Sequence, residues 1–132
     1  MNDRLVKKLL KAADQRFTSA EFLLATRMRL DSIYLAGYTV ECALKALIIS
    51  RISEAKRERY LAENLKTHSF ETLKKDVRRR NVNIPLDVNE ALRRIATWHP
   101  NLRYEVGQKS YEEAKCFLDA AKEVRDWVRR SV

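Results

Sequence analysis

His99 is one of only two histidines in the 132-residue sequence, and it stands among cations: Arg93 and Arg94 precede it, and Arg103 follows. If a helix runs from Arg94 to Trp98, a guanidinium comes within about one helical turn of the imidazole, and the two can converge on one phosphate. Such a pair suffices for RNA cleavage without a metal. The imidazole moves the proton of a 2′-hydroxyl while the cation stabilises the charge growing on phosphorus. The same residues can instead hold a phosphate without cutting it. Arginine grips phosphate bidentately, and a neighbouring Trp98 or Tyr104 can stack on a base. The competing readings are structural: core or interface packing for Trp98 and Tyr104, and a place at a helix end for His99. Arg78, Arg79 and Arg80 form a second cationic run.

The rest of the sequence closes off other chemistries. Gly37 and Gly107 are the only glycines and stand far apart, so there is no phosphate-cradling loop of P-loop or Rossmann spacing. Cys42 and Cys116 are also widely separated, with no histidine close by; a zinc site is not expected, and both read as small core residues. No metal and no cofactor is expected. Nothing in the spacing sets a serine or cysteine beside a base, and the HExxH signature is absent. His68, between Thr67 and Ser69, reads as part of a helix start, with its ring satisfying backbone groups or packing on a neighbour. Glu41 and Lys45 occupy i,i+4 positions inside an apolar run, in the favourable order. They read either as a pair at the edge of the buried face or as a polar contact across a subunit or ligand pocket.

Helices must position these residues. Two glycines and two prolines exclude collagen, low-complexity linkers and a turn-rich β-sandwich, while 45% hydrophobic residues are enough for one core. Residues 1–132 therefore read as one all-α domain, an up-and-down bundle of four to five helices. Leu5, Leu9, Phe17, Ala20 and Leu24 give an amphipathic helix from about Asp3 to Met28. A second helix, from about Ser32 to Arg51 and started by Asp31 and Ser32, is apolar on nearly every side and is expected to be the central one, too short and too polar to span a bilayer. Residues 51–66 are charge-dense and read as an exposed extension or a mobile connection. A third helix starts at the hydroxyls of Thr67 and Ser69 and runs to about Arg80. A fourth spans about Leu86 to Thr97, stopped by Pro100. A loop from Asn101 to Lys109 leads to a last helix, to about Arg130, opened by the capping box Ser110 and Glu113.

The formal charge is +9. It is unevenly spread, with eight cations against five carboxylates in residues 1–50, twelve against seven in residues 51–100, and seven against six beyond. The excess concentrates in the segment holding His99, which suits a polyanionic partner. Two thiols without a disulfide framework, no signal-like apolar segment at the N-terminus and no membrane-length apolar run lead to the expectation of a cytoplasmic protein with no membrane partner.

The run Tyr38-Thr39-Val40-Glu41-Cys42-Ala43-Leu44-Lys45-Ala46-Leu47-Ile48 resembles the second-helix signature of the HEPN family. Ala20-Glu21-Phe22-Leu23-Leu24 resembles the family's opening helix, Thr67-His68-Ser69-Phe70-Glu71-Thr72-Leu73 its His-then-Leu helix start, and Leu102-Arg103-Tyr104 the Arg-Tyr step before its final helix. The resemblance covers nearly the whole chain. It implies a helical bundle that commonly dimerises. Family members act as metal-independent ribonucleases or as non-catalytic nucleotide- or RNA-binding partners, often beside a minimal nucleotidyltransferase in toxin and antitoxin pairs. The ribonuclease branch uses an arginine, four to six variable residues and a histidine, a spacing met by Arg94 and His99 and also by Arg93 and His99. Ile95 after Arg94 and Pro100 after His99 depart from that branch, and Arg103-Tyr104 is typical of the other. The leading expectation is a binding module for RNA or nucleotide using Arg93, Arg94, Arg103, Trp98 and Tyr104. A ribonuclease using His99 with Arg93 or Arg94 is the alternative, and a ligand-free scaffold is the third reading.

Overall fold

A computed structural model describes residues 3–132. Its elements are α1 (Arg4–Ala25), α2 (Arg29–Ser50), α3 (Arg57–Asn64), α4 (Phe70–Arg79), α5 (Leu86–Arg94) and α6 (Tyr111–Ser131), with short 3-10 turns at Glu54–Lys56 and Pro100–Tyr104. No strand occurs among the described residues. The all-α bundle expected from composition and periodicity is thus the observed one, with six helices.

The stripe of α1 buries Val6, Ala13, Phe17 and Ala20, and this face lies along α2. Between the two helices Arg27 takes a left-handed conformation, φ 68°, which is uncommon for a residue with a Cβ and lets the chain reverse within three residues. The second helix starts at Arg29, three residues earlier than Asp31 and Ser32 suggest. Met28 occupies the N-cap without a side-chain cap, and the Ser32 hydroxyl donates instead to the Ala20 carbonyl of α1, 2.7 Å away. A buried hydroxyl is thereby satisfied between helices rather than at a helix end.

Helix α2 is the axis of the bundle, covered by α1, α4 and α6. Its Ile33, Ala36, Val40, Leu44, Leu47 and Ile48 are all buried, although they lie on different sides of the helix. By length and mean hydropathy, 1.4 over its most apolar window, it could cross a bilayer, contrary to the expectation of a segment too short and too polar; 72% of that window is buried within the bundle, which assigns it to the core.

Residues 51–66 are mostly exposed, as expected, but they hold a short helix pinned to the bundle rather than a bare extension. Ile52 and Leu65 are buried at either end, and between them α3 is held by Tyr60, whose hydroxyl donates to the buried Asp76 carboxylate of α4 at 2.8 Å. Arg80 closes this lock, reaching Asp76 at 3.1 Å and lying 4.9 Å over the Tyr60 ring. The sequence signals for the two later helix starts hold: Ser69 Oγ accepts from the Thr72 N–H, and Ser110 Oγ from the Glu113 N–H. Helix α5 stops at Arg94 rather than Thr97, because buried Ile95 leads into a turn that sends Trp98 back toward α2. The expected 101–109 loop begins with the 3-10 turn. Cys116 is exposed, whereas Cys42 is half-buried and burial pushes its thiol up.

Trp98 seats on α2 at the one residue that leaves room for it. A Cβ built on Gly37 would lie 1.9 Å from the indole. Gly37→Ala is therefore expected to lower stability by roughly 1–3 kcal/mol through overpacking, despite alanine's helix propensity advantage of about 1 kcal/mol; urea denaturation monitored by tryptophan fluorescence measures it.

Candidate functional site

Four side chains of α2, Tyr34, Tyr38, Glu41 and Lys45, recur at steps of four, three and four and so share one stripe of the helix. Against this stripe pack the chain entering α4 and the turn after α5. Trp98, only 5% exposed, stacks on Phe70 with centroids 5.1 Å apart and planes 6° from parallel, and meets the Tyr38 ring edge-on at 5.0 Å. Its indole N–H donates to the Tyr34 carbonyl at 3.2 Å. Covered in this way, Trp98 does not offer a face to a base, and the expectation that it stacks on one gives way to a packing role.

Glu41 is 6% exposed, and both carboxylate oxygens are occupied. Lys45 Nζ donates to Oε2 at 2.9 Å, and His68 Nδ1 lies 2.7 Å from Oε1. A carboxylate only accepts, so Nδ1 carries the proton and Nε2 of the neutral ring is the bare nitrogen. His68 is half-exposed and packs edge-on to Tyr38 at 6.2 Å. Glu41 and Lys45 therefore form a buried pair completed by a histidine from another segment. Helix-start capping falls to Ser69 and Thr67, not to His68.

His99 has the opposite tautomer. It caps the 3-10 turn, its Nδ1 accepting from the Asn101 N–H at 3.1 Å, so Nε2 of the neutral ring bears the proton. Arg93 and His99 line one cleft of about 280 Å³ together with Lys74 and Glu71. Arg94 points to a different concavity of about 260 Å³, with Lys109, Leu102 and Cys116. The geometry thus joins His99 to Arg93 and separates it from Arg94. Both arginines have acidic neighbours, Glu90 at 2.5 Å from Arg93 and Glu123 at 3.6 Å from Arg94. Arg78, Arg79 and Arg80 do not form one patch: Arg79 and Arg80 turn to Asp76, and Arg78 reaches Asn89.

Arg103 and Tyr104 are exposed, the tyrosine by 71%, and the guanidinium lies 4.8 Å over the Tyr104 ring. The neighbouring hydroxyls of Tyr104 and then Tyr34 raise the guanidinium's pKa, strengthening its hold on its proton. Among the described residues Arg103 makes no ion pair with a carboxylate. The Tyr34 hydroxyl is also 3.4 Å from that of Tyr38, which burial first and Tyr34 second push up to about 12. Tyr34 and Tyr38 escape a reading based on local motifs, and the signal that could have found them is the 4-3-4 polar stripe they form with Glu41 and Lys45 on an otherwise apolar helix. Among the described residues, no group of three or more His, Cys, Asp or Glu could hold a metal ion.

Fold and site together define a small all-helical domain that presents cations and aromatic rings along one edge of its central helix. The HEPN domain model matches residues 6–131, nearly the whole chain, and the protein belongs to the HEPN domain family, which is generally linked to nucleotides and RNA. Comparison with curated proteins and with solved structures gives no significant match.

Removing Glu41 leaves the Lys45 ammonium poorly solvated and without its carboxylate. Glu41→Ala is expected to cost about 3 kcal/mol, as for other broken buried pairs, whereas Glu90→Ala, at an exposed pair, costs under about 1 kcal/mol; chemical denaturation of both variants checks the contrast.

Proposed function

We propose that this HEPN domain binds RNA or nucleotide phosphate at the edge formed by Arg103, Tyr104 and the α2 tyrosines. The observation that carries this reading is the Arg103–Tyr104 pair: an exposed cation with no carboxylate partner, laid across an exposed ring. A guanidinium so placed is free to take phosphate, and the ring beside it can stack on a base. Arg93 and Arg94 contribute less, because Glu90 and Glu123 already draw on their charge. The net charge of +9 adds long-range attraction for a polyanion.

Arg93 and His99 share a cleft, which favours the ribonuclease reading over its Arg94 version. The cap at Asn101 works against His99 as the base, since neutral His99 has its proton on the outward nitrogen and its lone pair committed to the backbone. Binding is the better-supported function of the arginine edge. A homodimer, a nucleotidyltransferase-type partner and a role in a toxin–antitoxin pair belong to the same proposal through the family resemblance.

Fluorescence anisotropy with a labelled oligoribonucleotide tests it. Affinity is expected to fall steeply between 50 and 200 mM salt, and Arg103→Ala with Tyr104→Ala should weaken binding at least about tenfold, more than Arg93→Ala with Arg94→Ala. Binding indifferent to salt and to the Arg103 and Tyr104 substitutions would sink the reading.

A further inference from the structure

We propose that an extended acidic peptide, a segment of a partner protein, docks in the cleft between the α1–α2 turn and the loop that follows Tyr104. The inference does not rest on the RNA-binding reading above and concerns a different surface.

The cleft has a volume of about 690 Å³, within the usual range of ligand sites. Arg27, Met28 and Arg29 line it from the turn, and Val106, Gly107 and Lys109 from the loop. The loop side is bare backbone. Between the 3-10 turn and α6, no backbone hydrogen bond among the described residues engages Val106, Gly107 or Gln108. Glu105 and Ser110, at either end of this stretch, are extended, and Gly107, at φ 109°, bends it. Unpaired N–H and C=O groups along an irregular, extended stretch are the groups with which an incoming peptide main chain pairs.

The turn side supplies cations. Arg29 Nη1 reaches the Lys109 carbonyl at 3.4 Å, a long contact, and Nε is buried with no acceptor. A buried donor left unpaired is costly, and a carboxylate is the group that matches a guanidinium fork. Among the described residues neither Arg27 nor Arg29 makes an ion pair, and Lys109 meets only Glu113, at 3.7 Å. Met28 and Val106, 54% and 95% exposed, offer apolar surface from the two sides of the cleft.

The lining also decides the class of partner. Asp31 and Glu105 stand among the cations, and no aromatic ring lines the cleft. A nucleic-acid strand, negative at every phosphate, meets both carboxylates and finds nothing on which its bases can stack. A peptide sets its carboxylates at Arg27 and Arg29 and turns its backbone N–H groups to Asp31 and Glu105.

The test uses the full chain, a short fluorescein-labelled peptide of alternating valine and glutamate, and its valine–glutamine counterpart. In fluorescence anisotropy the acidic peptide should bind at least about tenfold more tightly than the neutral one. In amide NMR spectra the largest shifts on binding should fall on Val106, Gly107, Gln108 and Lys109. Arg29→Lys, which keeps the charge and loses the fork, should weaken the acidic peptide at least about fivefold, as should Arg27→Gly combined with Lys109→Gln. Arg27→Gly spares the fold, because φ 68° suits glycine. Lys8→Gln with Lys11→Gln removes two charges from exposed positions of α1 and should change peptide affinity by less than about twofold. Equal affinity for the two peptides overturns the proposal, as does a loss in the Lys8 and Lys11 variant as large as in the cleft variants. Cleft substitutions that weaken a labelled oligoribonucleotide and spare the peptide also overturn it and give the cleft to RNA. The RNA reading is decided separately, by the Arg103 and Tyr104 substitutions.

Discussion

The seating of Trp98 on Gly37 is the contact that organises the functional edge of this molecule. An indole where any other residue would place a Cβ brings the turn after α5 against the central helix. From that seat the ring stacks on Phe70 at the start of α4 and abuts Tyr38, so three separate stretches of chain are fixed relative to one another. His68 precedes Phe70 by two residues and His99 follows Trp98 directly; the positions of both histidines thus descend from one aromatic cluster. Arg103 follows in the short turn that this placement starts.

Around this cluster the protein handles buried charge in two places, and each resolves the same difficulty. A carboxylate removed from water needs its oxygens satisfied. Asp76 does so with Tyr60 and Arg80, which fastens α3 to α4, and Glu41 with Lys45 and His68, which fastens α2 to the entry of α4. The first uses a phenol and a guanidinium, groups that do not exchange protons readily near neutrality. The second uses an imidazole, the one side chain whose ordinary range makes proton exchange easy there.

Much of the fold was legible in the sequence because its cues are local. The periodicity of α1 and α6, the all-round apolarity of α2 and the hydroxyls of Ser69 and Ser110 act within a turn or two of helix. The stretch 51–66 was not legible because α3 itself buries no residue; its anchors are Ile52 and Leu65 outside it and the partner of Tyr60, sixteen positions on. The site was legible only in part. Arg103 and Tyr104 stand out by type, but the assignment of His68 depends on Glu41, twenty-seven positions away, and the role of His99 on a backbone N–H that is free only because Pro100 begins a 3-10 turn. Trp98 read as a possible stacking platform because nothing local to it reveals that Gly37 leaves it a berth.

The extensive burial of α2 also bears on how the chain is made. Its apolar surface is covered partly by α1, synthesised before it, and partly by α6, synthesised after every other helix of the bundle. During translation the hairpin of α1 and α2 must therefore wait with one side of a bilayer-grade helix uncovered, the condition under which nascent chains engage chaperones or one another. The cationic helices and turns made in that interval, from Arg51 to Arg103, supply like-charge repulsion between neighbouring nascent chains. The positive excess of residues 51–100, twelve cations against seven carboxylates, thus acts on the unfinished chain as well as on the finished domain.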